Sequence, residues 1–300
     1  MRIAVTGAFS YSGKYITRRL LDRGEEVFTL TGHPNRPDPF NGQVRAYPLD
    51  FDEASMTKSL QGADVLVNTY WVRFDKGENT QPRAVKNTQT LVNAAKAAGV
   101  KRIVHISIAN PSADSHLPYY WGKAANEKAV IESGISYAIL RPTVLVGKED
   151  ILINNIAYLL RRLPIFALPG DGSYGIQPVY VDDLAQLAVE GVYSKENYII
   201  DAVGPDIFTF KEMVELIGKK IGSKRPLIQV PPQLALLAAQ FLSLFVNDVL
   251  LTPEEVDGLM AGLLVSSEPP RCKTRLADWL EENKDTVGKK YASEVQRHYL

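Results

Sequence analysis

Tyr119 and Lys123 lie four residues apart, and no other pair in the chain is better suited to moving a proton. A phenol is a poor acid or base at neutral pH. A neighbouring ammonium stabilises the phenolate and lowers its pKa. Positions four apart share a helix face, which admits Tyr119 with Lys123 and leaves Tyr120 out. Such a phenol can donate to, or accept from, a substrate hydroxyl or carbonyl.

A second motif says what would work beside it. The apolar run Arg2–Val5 breaks into Thr6-Gly7-Ala8-Phe9-Ser10-Tyr11-Ser12-Gly13, and a helical pattern follows. Glycines at 7 and 13 let a strand-to-helix turn pass close to a pyrophosphate. The helix that opens near Gly13 aims its free N–H groups at the phosphates. The Ser10 and Ser12 hydroxyls can add hydrogen bonds, and Ser10 stands where such loops usually carry their middle glycine. The motif predicts a dinucleotide cradle, with a nicotinamide carrying hydride while Tyr119 handles the proton.

The end of the second strand selects the dinucleotide. A ribose 2′-hydroxyl calls for Asp or Glu, and a 2′-phosphate calls for a cation. The segment Thr31-Gly32-His33-Pro34-Asn35-Arg36 has no acid, and it offers His33 and Arg36. It favours NADP(H), with NAD(H) as the alternative. Asp50, after the third strand, is placed either to bond the adenine amine or to cap the next helix.

These residues need a scaffold. Apolar runs predict strands at 2–5, 26–31, 44–48, 64–69, 102–107 and 136–141, with helices at 14–23, 55–61, 83–98 and 119–133 between them. Such alternation implies an α/β fold, a doubly wound parallel sheet with helices on both faces. After Pro142 the pattern turns largely helical, at 151–163, 182–193 and 210–221 and from Pro231 onward, with one short strand at 198–201. The expected division is a dinucleotide-binding domain of residues 1–145, to which 176–202 contribute. Residues 146–175 and 203–300 would form a smaller, mostly helical substrate lobe. Thr252-Pro253-Glu254-Glu255 reads as a helix first turn, Thr capping and the acids suiting the dipole.

Composition narrows the function. Lys plus Arg number 34 and Asp plus Glu number 34, so the net charge is zero and a nucleic-acid surface is not expected. A single cysteine, Cys272, excludes an internal disulfide and suits a reducing compartment. The four histidines, 33, 105, 116 and 298, do not cluster, so no metal site is expected. No basic segment with an apolar block precedes the first strand, so a cytoplasmic location is expected. The apolar stretch 234–251 is interrupted by Gln240, Asn247 and Asp248 and is short for a span. It reads as a buried or docked helix, with membrane-surface or partner contact as the other reading.

The order and spacing of several motifs over residues 1–220 resemble the short-chain dehydrogenase/reductase superfamily, in its extended or atypical, epimerase/dehydratase-like branch. The motifs are Thr6-Gly7 through Gly13, Asp50, Asn87, Tyr119 with Lys123, Leu140-Arg141-Pro142-Thr143-Val144 and Gln177-Pro178-Val179-Tyr180-Val181-Asp182-Asp183. Within the branch the chain is similar to relatives of the NADPH-binding accessory subunit of respiratory complex I.

The resemblance implies a Rossmann fold and a nicotinamide cofactor. It implies that Tyr119 is the acid/base and that Lys123 lowers its pKa and holds the ribose. The cofactor contacts it implies are Gly7, Phe9, Ser10, Tyr11, Ser12 and Gly13 in the loop, and His33, Arg36, Asp50 and Phe51 around the adenosine. Asn68, Thr69 and Tyr70 fall near the ribose, with Pro142, Thr143 and Val144 near the carboxamide. Active members polarise the substrate with Ser or Thr after the fifth strand. Ser107 takes that role here, or Asn110 or Ser112 substitutes.

Tyr70, Trp71, Asn110 and Gln177 are the expected substrate contacts, while Trp121 is expected to pack and Asp248 to lie at a helix end or on the surface. The reaction expected is hydride transfer between NADP(H) and a small carbonyl or alcohol. The alternatives are a nucleotide-sugar epimerase or dehydratase, or a non-catalytic NADP(H)-binding scaffold or redox sensor. A monomer or homodimer is expected.

Overall fold

In the computed structural model the chain is described at residues 1–33, 35–246, 248–249, 251–293 and 295, the side chains of 244–246 excepted. His298, and Asn247 and Leu250 of the apolar stretch, lie outside the described residues. The order begins β1 (Arg2–Thr6), α1 (Tyr11–Asp22), β2 (Glu26–Thr31), β3 (Arg45–Pro48), α2 (Glu53–Leu60), β4 (Val65–Asn68) and α3 (Gln81–Ala97). It continues with β5 (Arg102–Ile106), α4 (Pro118–Glu132), β6 (Ser136–Pro142), β7 (Val144–Val146), α5 (Leu152–Arg162), β8 (Phe166–Pro169), β9 (Gly175–Ile176) and β10 (Pro178–Tyr180). It closes with α6 (Val181–Tyr193), β11 (Tyr198–Ala202), β12 (Phe208–Thr209), α7 (Phe210–Lys220), β13 (Leu227–Val230), α8 (Pro232–Val246), α9 (Pro253–Met260) and α10 (Leu276–Asn283).

The chain divides into two compact units. Unit 1 is 1–142 with 181–202, and unit 2 is 143–180 with 203–300.

Unit 1 holds a seven-stranded sheet in the order β11-β6-β5-β4-β1-β2-β3, parallel throughout. The central strands are buried on both faces, which is why they read as unbroken apolar runs rather than alternating ones. On one face Leu66, Ile103 and Ile139 pack with Leu60, Leu91 and Val130 of α2, α3 and α4. The strand order reverses between β1 and β4, and ligands of such sheets bind beyond the strand ends at that switch point.

Unit 2 holds α5 and α7–α10 with three two-stranded sheets, β10-β7, β12-β9 and β13-β8. Its core gathers Ile153, Ile156, Leu160, Met213, Ile217 and Trp279. α9 starts as its sequence requires, Thr252 accepting from Glu255 N while the Glu255 carboxylate accepts from Thr252 N. Asp248 follows the end of α8, one of the two places expected for it, but it is buried, not on the surface, and accepts from Tyr291 Oη and Val295 N at 2.8 and 2.9 Å. α8 leaves Leu234, Leu237 and Phe241 exposed along one stripe. Among the described residues no helix is long and apolar enough to cross a membrane.

Candidate functional site

The loop after β1 is drawn tight. Gly7 sits at φ +64°, and a Cβ at Gly13 would fall 2.2 Å from Gly7 O. No side chain fits at position 13, so the first turn of α1 approaches the β1 end as closely as backbone allows. No acidic residue stands in that turn to repel an anion. These features fit a dinucleotide pyrophosphate. Ser10 departs from the expectation, because its hydroxyl donates to Gly7 O at 2.6 Å and its N–H donates to the same oxygen at 2.8 Å. The Ser10 side chain therefore holds the turn closed, where a phosphate donor was expected.

His33 and Arg36 come together after β2. The Arg36 N–H donates to His33 O at 3.2 Å, and burial together with the Arg36 charge lowers the His33 pKa. Asp50 neither caps α2 nor stands unengaged. It accepts from Asp52 N and Ser55 Oγ at 3.1 and 2.7 Å, while Asp52 itself is the cap. Phe51, at φ +56°, packs its ring 4.7 Å from that of Tyr70, and Asn87 Nδ2 donates to Tyr70 Oη at 3.0 Å.

The segment after β4 departs most from expectation. Thr69 folds back on β1, its N–H donating to Thr6 Oγ1 at 2.7 Å and its hydroxyl to Thr6 O at 2.6 Å. Asn68 was expected near a ribose, yet it is fully buried and its amide is engaged at both ends. Its Oδ1 accepts from Thr6 Oγ1 and Tyr70 N, and its Nδ2 meets His105 Nδ1 at 3.1 Å. Asn68 is part of the scaffold that positions the loop. His105, set aside in the sequence because the histidines do not cluster, is the residue the reading missed. The signal was a titratable side chain inside an otherwise apolar central strand.

α4 carries the proton-transfer candidates. Leu117 ends the preceding loop and Pro118 opens the helix, which places Tyr119 and Lys123 one turn apart on one face. Tyr119 is half-buried, whereas Lys123 is 3% exposed. The Lys123 ammonium donates to Ile106 O at 3.0 Å, which ties the helix to the end of β5. Burial pulls its pKa down to about 7, and the Glu127 carboxylate one turn on opposes that fall. Glu127 is held by Arg141 through two bonds of 2.9 and 2.6 Å. Burial pushes the Tyr120 phenol up to about 12, so it is no acid or base at neutral pH.

Trp71 lies across this face. Its ring is 5.7 Å from that of Tyr119 and nearly perpendicular to it, and its centroid is 5.0 Å from Lys123 Nζ. Its Nε1 is buried without a hydrogen-bond partner among the described residues. Ser107 Oγ, His105 Nε2 and the Asn126 amide of α4 are likewise buried without a hydrogen-bond partner among the described residues. Asn110, at φ +56°, is exposed. Trp121, expected to pack, is 37% exposed on the helix's outer side.

In unit 2, Thr143 Oγ1 donates to Gln177 O, and Val144 lies in β7 paired with Pro178. Gln177, an expected substrate contact, is 2% exposed and engaged at both ends of its amide. Its Nε2 donates to Gly204 O at 2.8 Å and its Oε1 accepts from Ser266 N at 3.0 Å. It joins three segments of backbone and acts as a brace in unit 2. Pro142 closes β6 in unit 1, its carbonyl accepting from Ala109 N at 2.8 Å.

A parallel sheet in this order, with a glycine-turned first βα loop, defines a Rossmann dinucleotide-binding protein. Residues 7–156 match the family model described as NAD(P)H-binding, and the chain belongs to that family. It is 26% identical over 261 residues to the mitochondrial NADH dehydrogenase [ubiquinone] 1 alpha subcomplex subunit 9 of Arabidopsis thaliana. That match covers 82% of this chain but 64% of the plant subunit's length. The fold resembles the NADPH-dependent quinone oxidoreductase of Escherichia coli in complex with NADPH (TM-score 0.75, 23% identity, 93% of this chain and 99% of that one). It also resembles UDP-N-acetylglucosamine 4-epimerase from Bacillus cereus (TM-score 0.69, 18% identity, 97% of each chain).

Proposed function

We propose that this NAD(P)H-binding protein is an NADP(H)-dependent oxidoreductase that interconverts a small carbonyl compound and its alcohol. The carrying observation is the pairing on α4 of a half-buried Tyr119 with a fully buried Lys123. The family model and the Gly7–Gly13 loop support the cofactor. The acid-free end of β2, with Arg36 and His33, supports the 2′-phosphorylated form.

The bound dinucleotide would supply or accept a hydride at the substrate carbon. The chain's own residues would do the rest. The α1 N-terminus would hold the pyrophosphate, and Arg36 would meet the 2′-phosphate. In reduction, the Tyr119 hydroxyl would give its proton to the substrate oxygen as the carbon gains hydride, and the phenolate would recover a proton from solvent. The Lys123 ammonium would stabilise that phenolate. Ser107, just after β5, would polarise the carbonyl, with Asn110 or Ser112 as the substitutes.

The test is an NADPH and NADH titration read by nicotinamide fluorescence, followed by a carbonyl panel on the wild type and Tyr119→Phe. Turnover should vanish in the variant with cofactor affinity preserved. Full activity in Tyr119→Phe would refute the mechanism.

A second reading, an NADP(H)-binding scaffold without turnover, is favoured by one observation. Lys123 is committed to Ile106 O, and the Trp71 ring lies over it. NADPH binding with no turnover across the panel would select it.

A further inference from the structure

Trp71 is seated in a place made for it. Its Cη2 and Cζ2 atoms lie 2.5 and 3.0 Å from where a Cβ at Gly122 would stand. Only glycine at 122 leaves room for the indole, and 122 lies between the two members of the proton-transfer pair on the same helix. The ring thus touches all three positions: edge to face with Tyr119, with its Cη2–Cζ2 edge against Gly122, and under the Lys123 ammonium. Its buried N–H has no acceptor among the described residues in this seat. Steric fit and ring contacts hold the indole there, and no hydrogen bond from the described residues does.

We infer that Trp71 is the specificity-determining residue of this site: its indole occupies the slot beside Tyr119 that the substrate takes when Trp71 swings out, and the slot accepts a planar aromatic aldehyde or ketone. The inference rests on the oxidoreductase reading above. The slot is filled by one indole ring. A glycine backbone forms its floor, a perpendicular phenol its wall, and a cation lies over the ring face. These are the surroundings an aromatic π-system prefers. A saturated ring of similar mass gains neither contact. Once displaced, Trp71 can turn its N–H to an acceptor, which offsets part of the cost of moving it.

The matched probes are benzaldehyde and cyclohexanecarboxaldehyde, which differ in planarity and π-character more than in size. With NADPH, the wild type should favour benzaldehyde in kcat/KM by about tenfold or more. Trp71→Ala should narrow that preference to within about threefold, because the displaced indole no longer bounds the slot and a bulkier ring can enter, and Trp71→Phe should keep it, because a displaced phenyl ring still does. NADPH affinity should be unchanged in both variants. Acrylamide quenching of Trp71 supplies a readout independent of turnover, taken as the wild type minus Trp71→Phe difference. Adding benzamide, an unreactive planar analogue, to the NADPH complex should raise the quenching about twofold as the indole leaves its seat.

If the wild type binds no NADPH, the oxidoreductase reading falls and this inference with it. If NADPH binds but the aldehyde preference is the same in wild type and Trp71→Ala, this inference alone is overturned. Unchanged quenching with benzamide overturns it too, and that measurement stands even if Trp71→Ala fails to fold.

Discussion

Asn68 Nδ2 donates to His105 Nδ1 across 3.1 Å, from β4 to the adjacent β5. Its direction follows from the rest of the network. Asn68 Oδ1 already accepts from Thr6 Oγ1 and Tyr70 N, so the nitrogen end must face the ring. His105 is therefore neutral, with its proton on Nε2. Burial, and secondarily the Lys123 charge, hold its pKa down at about 3.

That neutrality predicts acid lability. The folded-state pKa of His105 lies below the unfolded value near 6.5, so its contribution to stability is complete above about pH 6.5. It is lost as pH falls from there toward 3, at a limiting slope of about 1.4 kcal/mol per pH unit for one proton. Urea unfolding at pH 7, 6 and 5 should show this slope, and His105→Phe should flatten it. An equal slope in the variant would assign the lability to other groups.

Lys123 makes an opposite demand on the reaction. Its amine is pulled down to about 7, so the ammonium that Tyr119 needs is depleted as pH rises through that value. The reductive kcat should fall on the alkaline side of about pH 7. Glu127 holds the Lys123 pKa up, so Glu127→Gln should move the limb to lower pH. A pH–rate profile that is flat from 6 to 9 in both proteins would remove Lys123 from the mechanism.

Gly13→Ala tests the cradle. The added methyl would meet Gly7 O at 2.2 Å, which backbone cannot relieve without opening the turn. NADPH affinity should drop by about tenfold or more as the phosphate-facing amides are displaced. Undiminished affinity by fluorescence titration would place the dinucleotide elsewhere.

Arg36→Ala tests cofactor choice. Losing a cation from the 2′-phosphate should weaken NADPH by about tenfold and leave NADH within about twofold. Equal loss for both would mean that Arg36 supports the loop and reads nothing.

Much of unit 1 was legible in the sequence. β2 spans the expected Glu26–Thr31, and the other expected elements of the sheet end within three residues of those observed. Long periodic runs and glycine stops at 24, 62, 99 and 134 made this possible, each of those glycines taking a positive φ that ends a helix or turn. The small sheets of unit 2 were not legible. β9 and β12 have two residues each and find each other across the chain, and two residues carry no period.

Site residue types were legible, but their engagements were not. Nothing local in sequence says that Ser10 bonds Gly7 O, that Asn68 faces His105, or that Gln177 joins Gly204 to Ser266. Each depends on a partner that only folding brings near.

The discontinuity of unit 1 bears on how the protein is made. β6 offers its outer edge until β11 arrives, and the chain enters unit 2 at residue 143 before returning at 181. On a ribosome the sheet therefore waits, with an apolar strand open on one side, while residues 143–197 emerge. The nascent chain is most prone to illicit strand pairing in that interval. A stop introduced after Pro142 would release a sheet with that edge still open, whereas one placed after Ala202 would release unit 1 with every strand it needs.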